Sequence, residues 1–245
     1  MGAHGSVDET LLPFRGRVHF LAYMPKKSAK YDIKLLCLTD AHNLYLYNIY
    51  IHIYICTGKG SDGATLTPAD RKILIPSQAV VRLKKCLYKT NRNITCDNWS
   101  CSLEIAQGLL KHGVTLVTTM KANKPQISPE FLPNKTRAVG SSLYGFTKEL
   151  TLLSHVPIKI KAVILLSSMH HSELNDTSTG KPEIISFYNA TKSGVGTLDM
   201  KCSNYSTNRK TRWPLAIFYY ILAMCVFNAY VLYNMFSKAE KLARY

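Results

Sequence analysis

The stretch NITCDNWSCSLEIAQGLLKHGVTLVTTM, residues 93–120, decides the fold of this chain. Its first residues, Asn93–Cys96, form a short β-rich run that leads directly into Asp97. Apolar side chains then recur at helical spacing over Ser102–His112, and Thr115–Met120 is apolar and β-branched again. The stretch therefore predicts a strand, a helix and a second strand, with an acidic residue at the end of the first strand.

Upstream of this stretch, two apolar runs predict a β-hairpin. Tyr31–Leu38 and Leu44–Cys56 are dense in Ile, Leu, Tyr and Val, and Asp40–Asn43 between them is turn-like. Gln78–Tyr88 shows helical spacing of its apolar residues. This order of strands and helices is what a mixed sheet flanked by helices requires, so we expect an α/β fold.

Downstream, the composition changes after Lys121 to a stretch rich in proline and basic residues. Leu150–Val156 and Ala162–Ser167 have the pattern of short strands. We therefore predict an inserted β-rich module over residues 122–182. From Ser186 onward the pattern is helical again.

The charge of the chain indicates a polyanionic partner. It has 31 Lys plus Arg against 15 Asp plus Glu, a formal net charge of +16. Nucleic acid and an acidic membrane surface both fit this balance. The seven cysteines include no C-x-x-C pair and are odd in number, which argues against a zinc ribbon and a closed disulfide framework. Met1–Val7 lacks the features of a secretory signal, so we expect an intracellular, reducing compartment.

One long apolar segment leaves two interpretations open. Pro214–Phe236 contains 23 residues without a charge, long enough to cross a hydrocarbon core of ~30 Å. Asn228, Asn234 and several tyrosines make the segment polar for a lone spanning helix. On sequence alone, a membrane-spanning helix and a buried core helix are equally compatible with the segment.

Several blocks of the sequence together resemble the piggyBac-type DNA transposases. They follow one order along nearly the whole chain: Val7–Glu9, Pro13–Arg17, Tyr23–Lys27, Lys30–Lys34, Thr57–Gly60, Arg92–Trp99, Val139–Phe146, Leu165–His171, Thr179–Glu183, Tyr188–Lys192 and Arg209–Pro214. The resemblance does not include the family's N-terminal dimerisation and DNA-binding region or its C-terminal zinc module.

The resemblance implies a ribonuclease H-like catalytic domain, a mixed sheet flanked by helices with a β-rich insertion. The expected organisation is a first part of the catalytic domain over residues 1–121, the insertion over 122–182, a second, helical part over 183–236 and a tail over 237–245. It also implies that the apolar segment 214–236 is a helix packed inside the catalytic domain rather than in a membrane.

The resemblance also assigns the acids. Asp8 matches the first catalytic acid of the family and Asp97 the second. The family then presents Gly-Val-Asp-Thr-Leu-Asp, whereas Gly194–Asp199 reads GVGTLD, so the third catalytic position is Gly196. Asp199 is retained, and Asp8, Asp97 and Asp199 are the expected catalytic residues. Without the resemblance, Asp8 and Asp97 would be read as strand-end turn residues or helix caps.

The family's chemistry is metal-assisted cleavage and transfer of DNA strands, in which Asp side chains hold two Mg²⁺ ions at a DNA phosphorus. The implied ligands here are the same three residues, Asp8, Asp97 and Asp199. Asp199 lies three residues beyond Gly196 and could not fill its place without moving the helix by most of a turn. We therefore expect a weakened Mg²⁺ site.

Three further residues match family positions near DNA. Lys121 and Lys124 are expected to contact phosphates, and Trp213 to stack near a transposon end. Equally simple interpretations are two solvated lysines and a tryptophan that anchors a helix. His170 and His171 are adjacent on an extended segment and point to opposite faces, so we expect a structural role and no metal site.

These observations predict a nuclear, piggyBac transposase-derived protein that binds DNA and is deficient in cleavage. The resemblance adds a possible homodimer. Two alternatives stay open at this point. The first is an active Mg²⁺-dependent transposase or nuclease, and the second is a small membrane protein anchored by residues 214–236.

Overall fold

The computed structural model describes residues 2–18, 20–23, 31–51, 83, 85–99, 102–203 and 212–237. Within these ranges, nine strands form one sheet. They are β1 (His4–Pro13), β2 (Ala22–Tyr23), β3 (Tyr31–Asp40), β4 (Leu46–Ile51), β5 (Asn93–Cys96), β6 (Thr115–Thr119), β7 (Ser142–Phe146), β8 (Thr151–Ile158) and β9 (Lys161–Ser167). The described helices are α1 (Leu103–Leu110), α2 (Glu183–Thr191), α3 (Gly194–Ser203) and α4 (Trp213–Phe236).

The sheet is mixed, as the sequence predicts. Its order is β2-β3-β1-β5-β6-β9-β8-β7, and β4 pairs with β3. The central strands β1, β5 and β6 are parallel, and β3 lies antiparallel to β1. Parallel neighbours need a crossover connection, and α1 supplies it between β5 and β6. The predicted hairpin is present as the antiparallel pair β3 and β4, although residues 52–56 lie outside the described ranges.

The strands predicted for the β-rich module continue the main sheet. β9 pairs antiparallel with β6, and β8 and β7 follow outward from it. The observed bounds of β8 and β9 agree with the predicted strands to within two residues. The boundaries of the module at residues 122 and 182 stay a prediction.

Helix α1 covers one face of the sheet. The side chain of Ser102 accepts a hydrogen bond from the Ile105 backbone N–H at 3.3 Å and caps the helix. The helix buries one apolar stripe against the sheet, formed by Ile105, Ala106 and Leu109. After the helix, Gly113 adopts φ +69°, a left-handed conformation that glycine takes without steric cost.

Helices α3 and α4 pack on the other face of the sheet. Val195, Leu198 and Cys202 of α3 are buried in a cluster with residues of β1, β3 and α4. Ile184 of α2 belongs to a third cluster, against β6, β8 and β9. The sheet therefore lies between helices on both faces, with its central strands in the middle of the core.

Helix α4 has two apolar sides, and the described protein covers only one of them. The inner side is buried against the core at spacings of three and four residues: Ile217, Tyr220, Met224, Phe227 and Val231. On the outer side Phe218 is 57% exposed and Phe236 is 77% exposed. By length and hydropathy the helix could cross a membrane, and a third of its apolar window is buried in the protein. The described residues therefore cover the inner side of α4, as the resemblance implies, but they do not enclose its outer side.

Some predicted features lie outside the described residues. Most of the helix expected over 78–88 is among them, and Lys85–Leu87 forms a short 3-10 turn within it. The block at residues 57–60 and all of the tail beyond residue 237 lie outside as well.

Two glycines of α3 form a matched pair for testing this packing. A Cβ at Gly194 would lie 2.7 Å from Thr39 Oγ1 and 2.9 Å from Ser6 Cβ, whereas a Cβ at Gly196 would meet nothing within 4 Å. We expect Gly194→Ala to lower the free energy of unfolding by about 1–3 kcal/mol through overpacking. Gly196→Ala should raise it by about 0.5–1 kcal/mol through helix propensity. Urea denaturation of both variants measures this, and equal effects would contradict the packing of α3.

Candidate functional site

Two of the predicted acids meet where the parallel pairing of β1 and β5 ends: Asp97 follows the last residue of β5, and Asp8 lies in the middle of β1. In the register of β1 and β5, Val7 lies opposite Cys96. Asp8 follows Val7 and Asp97 follows Cys96, and neighbouring strands of a sheet lie about 4.8 Å apart. The pairing therefore brings together two carboxylates that are far apart in sequence.

Both acids line one cavity with a volume of about 350 Å³. Its wall consists of Val7, Asp8, Cys96, Asp97, Tyr188, Lys192, Ser193, Gly196, Thr197 and Met200. The residues from 188 to 200 come from the end of α2 and the start of α3. Gly196 thus lies on the wall beside the two acids, at a point where a side chain would have open space.

The surroundings of Asp97 oppose its ionisation. Burial raises the pKa of Asp97, and the nearby Glu9 carboxylate acts in the same direction. The backbone N–H of Trp99 donates to Asp97 Oδ1 at 2.9 Å and, with Lys34 and Lys121, offsets part of this effect on the pKa. A raised pKa in a partly buried carboxyl that lines a cavity is typical of a functional site.

Lys34 is fixed beside this acid. Its ammonium forms an ion pair with Glu9 and lies 3.7 Å from the centroid of the Trp99 ring. The cation–π contact and the ion pair hold the side chain in one place. Lys34 therefore contributes a positioned positive charge near Asp97 without being one of the residues that line the cavity.

Asp199, the third predicted acid, lies in a different environment. Thr10 Oγ1 donates a hydrogen bond to Asp199 Oδ1 at 2.6 Å, and the Tyr220 hydroxyl donates to the same oxygen. Burial, followed by the charge of Asp199, raises the pKa of Tyr220, so its phenol stays protonated and continues to donate. Among the described residues that line the cavity, Asp199 does not occur. Through these two hydrogen bonds, the Asp199 carboxylate connects α3 to β1 and to α4.

The donor set at the cavity fits one hard cation better than two. Asp8 and Asp97 offer carboxylate oxygens, and Mg²⁺ is commonly held by one or two carboxylates with water in its other positions. A two-ion site needs ligands for a second metal, and Gly196 offers no side chain for it. In the described part of the chain, no three His, Cys, Asp or Glu side chains form a group that could hold a metal.

Comparison with known proteins identifies the family. The family model described as Transposase IS4 matches residues 2–230. The chain belongs to the IS4/piggyBac-type transposase family. A solved piggyBac transposase, determined as a synaptic complex with hairpin DNA, superposes with a TM-score of 0.87 at 37% identity. The match covers 99% of this chain and 50% of that one, so the chain spans half the length of this relative. The predicted ribonuclease H-like fold is confirmed by this match.

The residues predicted to contact DNA differ in how close they lie to the cavity that Asp8 and Asp97 line. Lys121 is exposed just after β6 and is close enough to Asp97 to lower its pKa. Lys124 is half-buried near Glu104, whose pKa it helps to lower after the larger effect of hydrogen bonds. Trp213 packs on the core and meets Phe20 edge to face, 5.1 Å between ring centroids. DNA contacts by these residues stay predictions.

The two adjacent histidines lie in different environments. His170 is buried and its Nδ1 lies 2.8 Å from Ser167 Oγ, whereas His171 is exposed. Burial lowers the pKa of His170, which keeps the ring neutral. Both positions agree with a structural role.

Sequence reasoning assigned no role to several residues of this site. Tyr188 and Lys192 line the cavity from the end of α2, and Thr10 and Tyr220 hold Asp199. One signal was available, because Lys192 lies only four residues before Gly196 in the sequence. The partners of Asp199 had no such signal, because they lie on other elements.

The tie between Asp199, Thr10 and Tyr220 can be tested by removing one hydroxyl. Tyr220→Phe leaves the half-buried Asp199 carboxylate with one donor fewer, and we expect the free energy of unfolding to fall by about 1–3 kcal/mol. Tyr219→Phe, a half-buried neighbour on the same helix, should change it by less than about 0.5 kcal/mol. Chemical denaturation measures both variants. If Tyr220→Phe is as stable as Tyr219→Phe, the hydrogen bonds do not hold α3 in place.

Proposed function

We propose that this chain is a DNA-binding member of the transposase family that does not cleave DNA. The observation that supports this is the composition of the cavity wall. Asp8 and Asp97 lie side by side where the pairing of β1 and β5 ends, and Gly196, which the resemblance matches to the family's third acid, lies in the same wall. We infer that this cavity corresponds to the family's catalytic cleft, with an incomplete set of ligands.

The missing carboxylate matters because of the reaction. Cleavage of a phosphodiester at a two-metal site requires both the attacking and the leaving oxygen to be stabilised by metal ions. When bound, Mg²⁺ would supply this stabilisation, and Asp8 and Asp97 are the residues that would hold it. We infer that the second ion is held too weakly for cleavage, because nothing replaces the carboxylate missing at Gly196.

Asp199 does not compensate for this loss. Its Oδ1 accepts hydrogen bonds from Thr10 and Tyr220, which are 2% and 4% exposed. Because the Thr10 and Tyr220 hydroxyls also contact each other, turning the carboxylate toward the cavity would leave one buried hydroxyl without an acceptor, at a cost of about 1–3 kcal/mol. We propose that Asp199 positions α3 and is not a metal ligand.

DNA is the proposed partner for two independent reasons. The formal charge of +16 favours a polyanion, and the piggyBac transposase that this chain resembles was solved with hairpin DNA. Lys121, exposed beside Asp97, is positioned to contact a phosphate without reading sequence. A protein that binds chromosomal DNA acts in the nucleus, and we propose that location.

Cleavage deficiency is tested with a supercoiled plasmid nicking assay in Mg²⁺ and in Mn²⁺. We expect the purified chain to give no more nicked product than its Asp97→Ala variant, because two carboxylates do not hold two ions. Retention of DNA binding by both proteins is the control for folding. Strong Mg²⁺-dependent nicking that disappears in Asp97→Ala would establish the alternative, an active nuclease or transposase.

We also propose that two copies associate through the outer side of α4. The outer residues alternate at spacings of three and four and are all exposed: Leu215, Phe218, Leu222, Cys225, Ala229, Leu232 and Phe236. This spacing is that of a coiled-coil seam, which suits a second helix of the same pattern. The large side chains among them are 41% to 77% exposed. Together with their neighbours they present roughly 600–800 Å² of solvent-accessible surface to a partner. A stable interface needs about 800 Å² per partner.

Light scattering tests this interface with a matched pair of leucines. Leu222 is 45% exposed at the centre of the outer side of α4. Leu174 is 59% exposed and lies outside α4, in the connection between β9 and α2, so it serves as the control. We expect the unmodified chain and Leu174→Glu to be dimers and Leu222→Glu to be a monomer, because a buried unpaired carboxylate opposes association. A monomer in all three cases would contradict the interface.

Retention of the expressed chain in carbonate-washed membranes would favour a spanning helix instead.

A further inference from the structure

Lys192 lies in the cavity wall, and neither the family resemblance nor the proposed mechanism gives it a role. It follows the last residue of α2 and shares the wall with Gly196 and Thr197. Its side chain is exposed to solvent at the cavity. The ammonium is thus available to an anion that enters beside Asp8 and Asp97.

The position of Lys192 is fixed by three contacts with two residues, Tyr188 and Ser6. Its backbone N–H donates to the Tyr188 carbonyl at 2.9 Å, and its own carbonyl accepts from Ser6 Oγ at 3.0 Å. Its ammonium lies 5.3 Å from the centroid of the Tyr188 ring. Ser6 belongs to β1 two residues before Asp8, so Lys192 is anchored to the strand that bears the first acid. Most surface lysines have no such anchoring.

The charges at the cavity are balanced because residue 196 is glycine. Asp8 and Asp97 provide two carboxylates, and Lys192 in the wall and Lys121 near Asp97 provide two ammonium groups. An aspartate at position 196 would add a third negative charge on the wall that holds Lys192. A phosphate would then be repelled unless divalent cations neutralised the carboxylates.

We propose that the cavity receives a DNA phosphate through Lys192 without a divalent cation, on the wall that Gly196 leaves free of charge. The hydroxyl groups of Ser193 and Thr197 lie in the same wall and can donate to the phosphate oxygens. The substitution that removes a metal ligand thus also converts the cleft into a metal-independent phosphate site. This inference rests on the proposed DNA-binding function and assigns it a particular residue.

The test measures binding of a fluorescein-labelled DNA duplex in EDTA across a range of salt concentrations. Lys192→Met keeps the apolar stem and removes only the charge. Lys159→Met removes one exposed charge at the β8–β9 turn and is the matched control. We expect Lys192→Met to weaken binding about tenfold and to make the salt slope shallower by about 0.9, the value for one phosphate contact. Lys159→Met should change neither, and Lys192→Arg should retain binding.

A Gly196→Asp variant provides a second test of the inference. A side chain at position 196 has open space in the wall, so the substitution should not disturb the fold. We expect it to bind the duplex weakly in EDTA and to regain affinity in Mg²⁺, whereas the unmodified chain already binds the duplex in EDTA. Equal effects of Lys192→Met and Lys159→Met would overturn the inference and leave DNA binding intact. Binding of the unmodified chain only with Mg²⁺ would also overturn it. Absence of binding in every buffer would refute the proposed function itself.

Discussion

Parallel pairing of β1 with β5 is the interaction on which the site depends. It matches Val7 with Cys96 and thereby places Asp8 beside Asp97, which are otherwise eighty-nine positions apart. Because parallel strands cannot be joined by a tight turn, the chain returns from β1 to β5 through a long connection that contains β2, β3 and β4. The same pairing buries Asp97 enough to raise its pKa, so the fold both collects the acids and sets their electrostatics.

Helix α3 forms the opposite wall, and two contacts fix its position. Gly194 approaches Ser6 and Thr39 so closely that a Cβ would not fit, and Asp199 accepts hydrogen bonds from Thr10 and Tyr220. Residues 194 and 199 therefore hold the helix against the sheet, and residue 196 faces the cavity between them. We infer that the two carboxylates of the family motif have separate physical roles, one at the cavity and one in the packing of the helix. On this proposal the chain carries only the second, because residue 196 is glycine.

Local patterns predicted much of this arrangement. The strand, helix and strand over residues 93–120, the hairpin at β3 and β4, and the late helices are visible in the spacing of apolar residues. The meeting of Asp8 and Asp97 needed the family resemblance, because no pattern in one sequence specifies which strands pair. The partner of Asp199 could not be predicted, because Tyr220 lies on another helix. The one-sided burial of α4 was also hidden, since both of its sides are apolar in the sequence.

The number of divalent ions that the cavity holds tests this account most directly. Mn²⁺ binding can be counted by electron paramagnetic resonance titration of the chain and of its Gly196→Asp variant. The account predicts that the unmodified chain binds fewer than two Mn²⁺ ions and that the variant gains one, because only then are three carboxylates present at one cleft. Two tightly bound ions in the unmodified chain would contradict it.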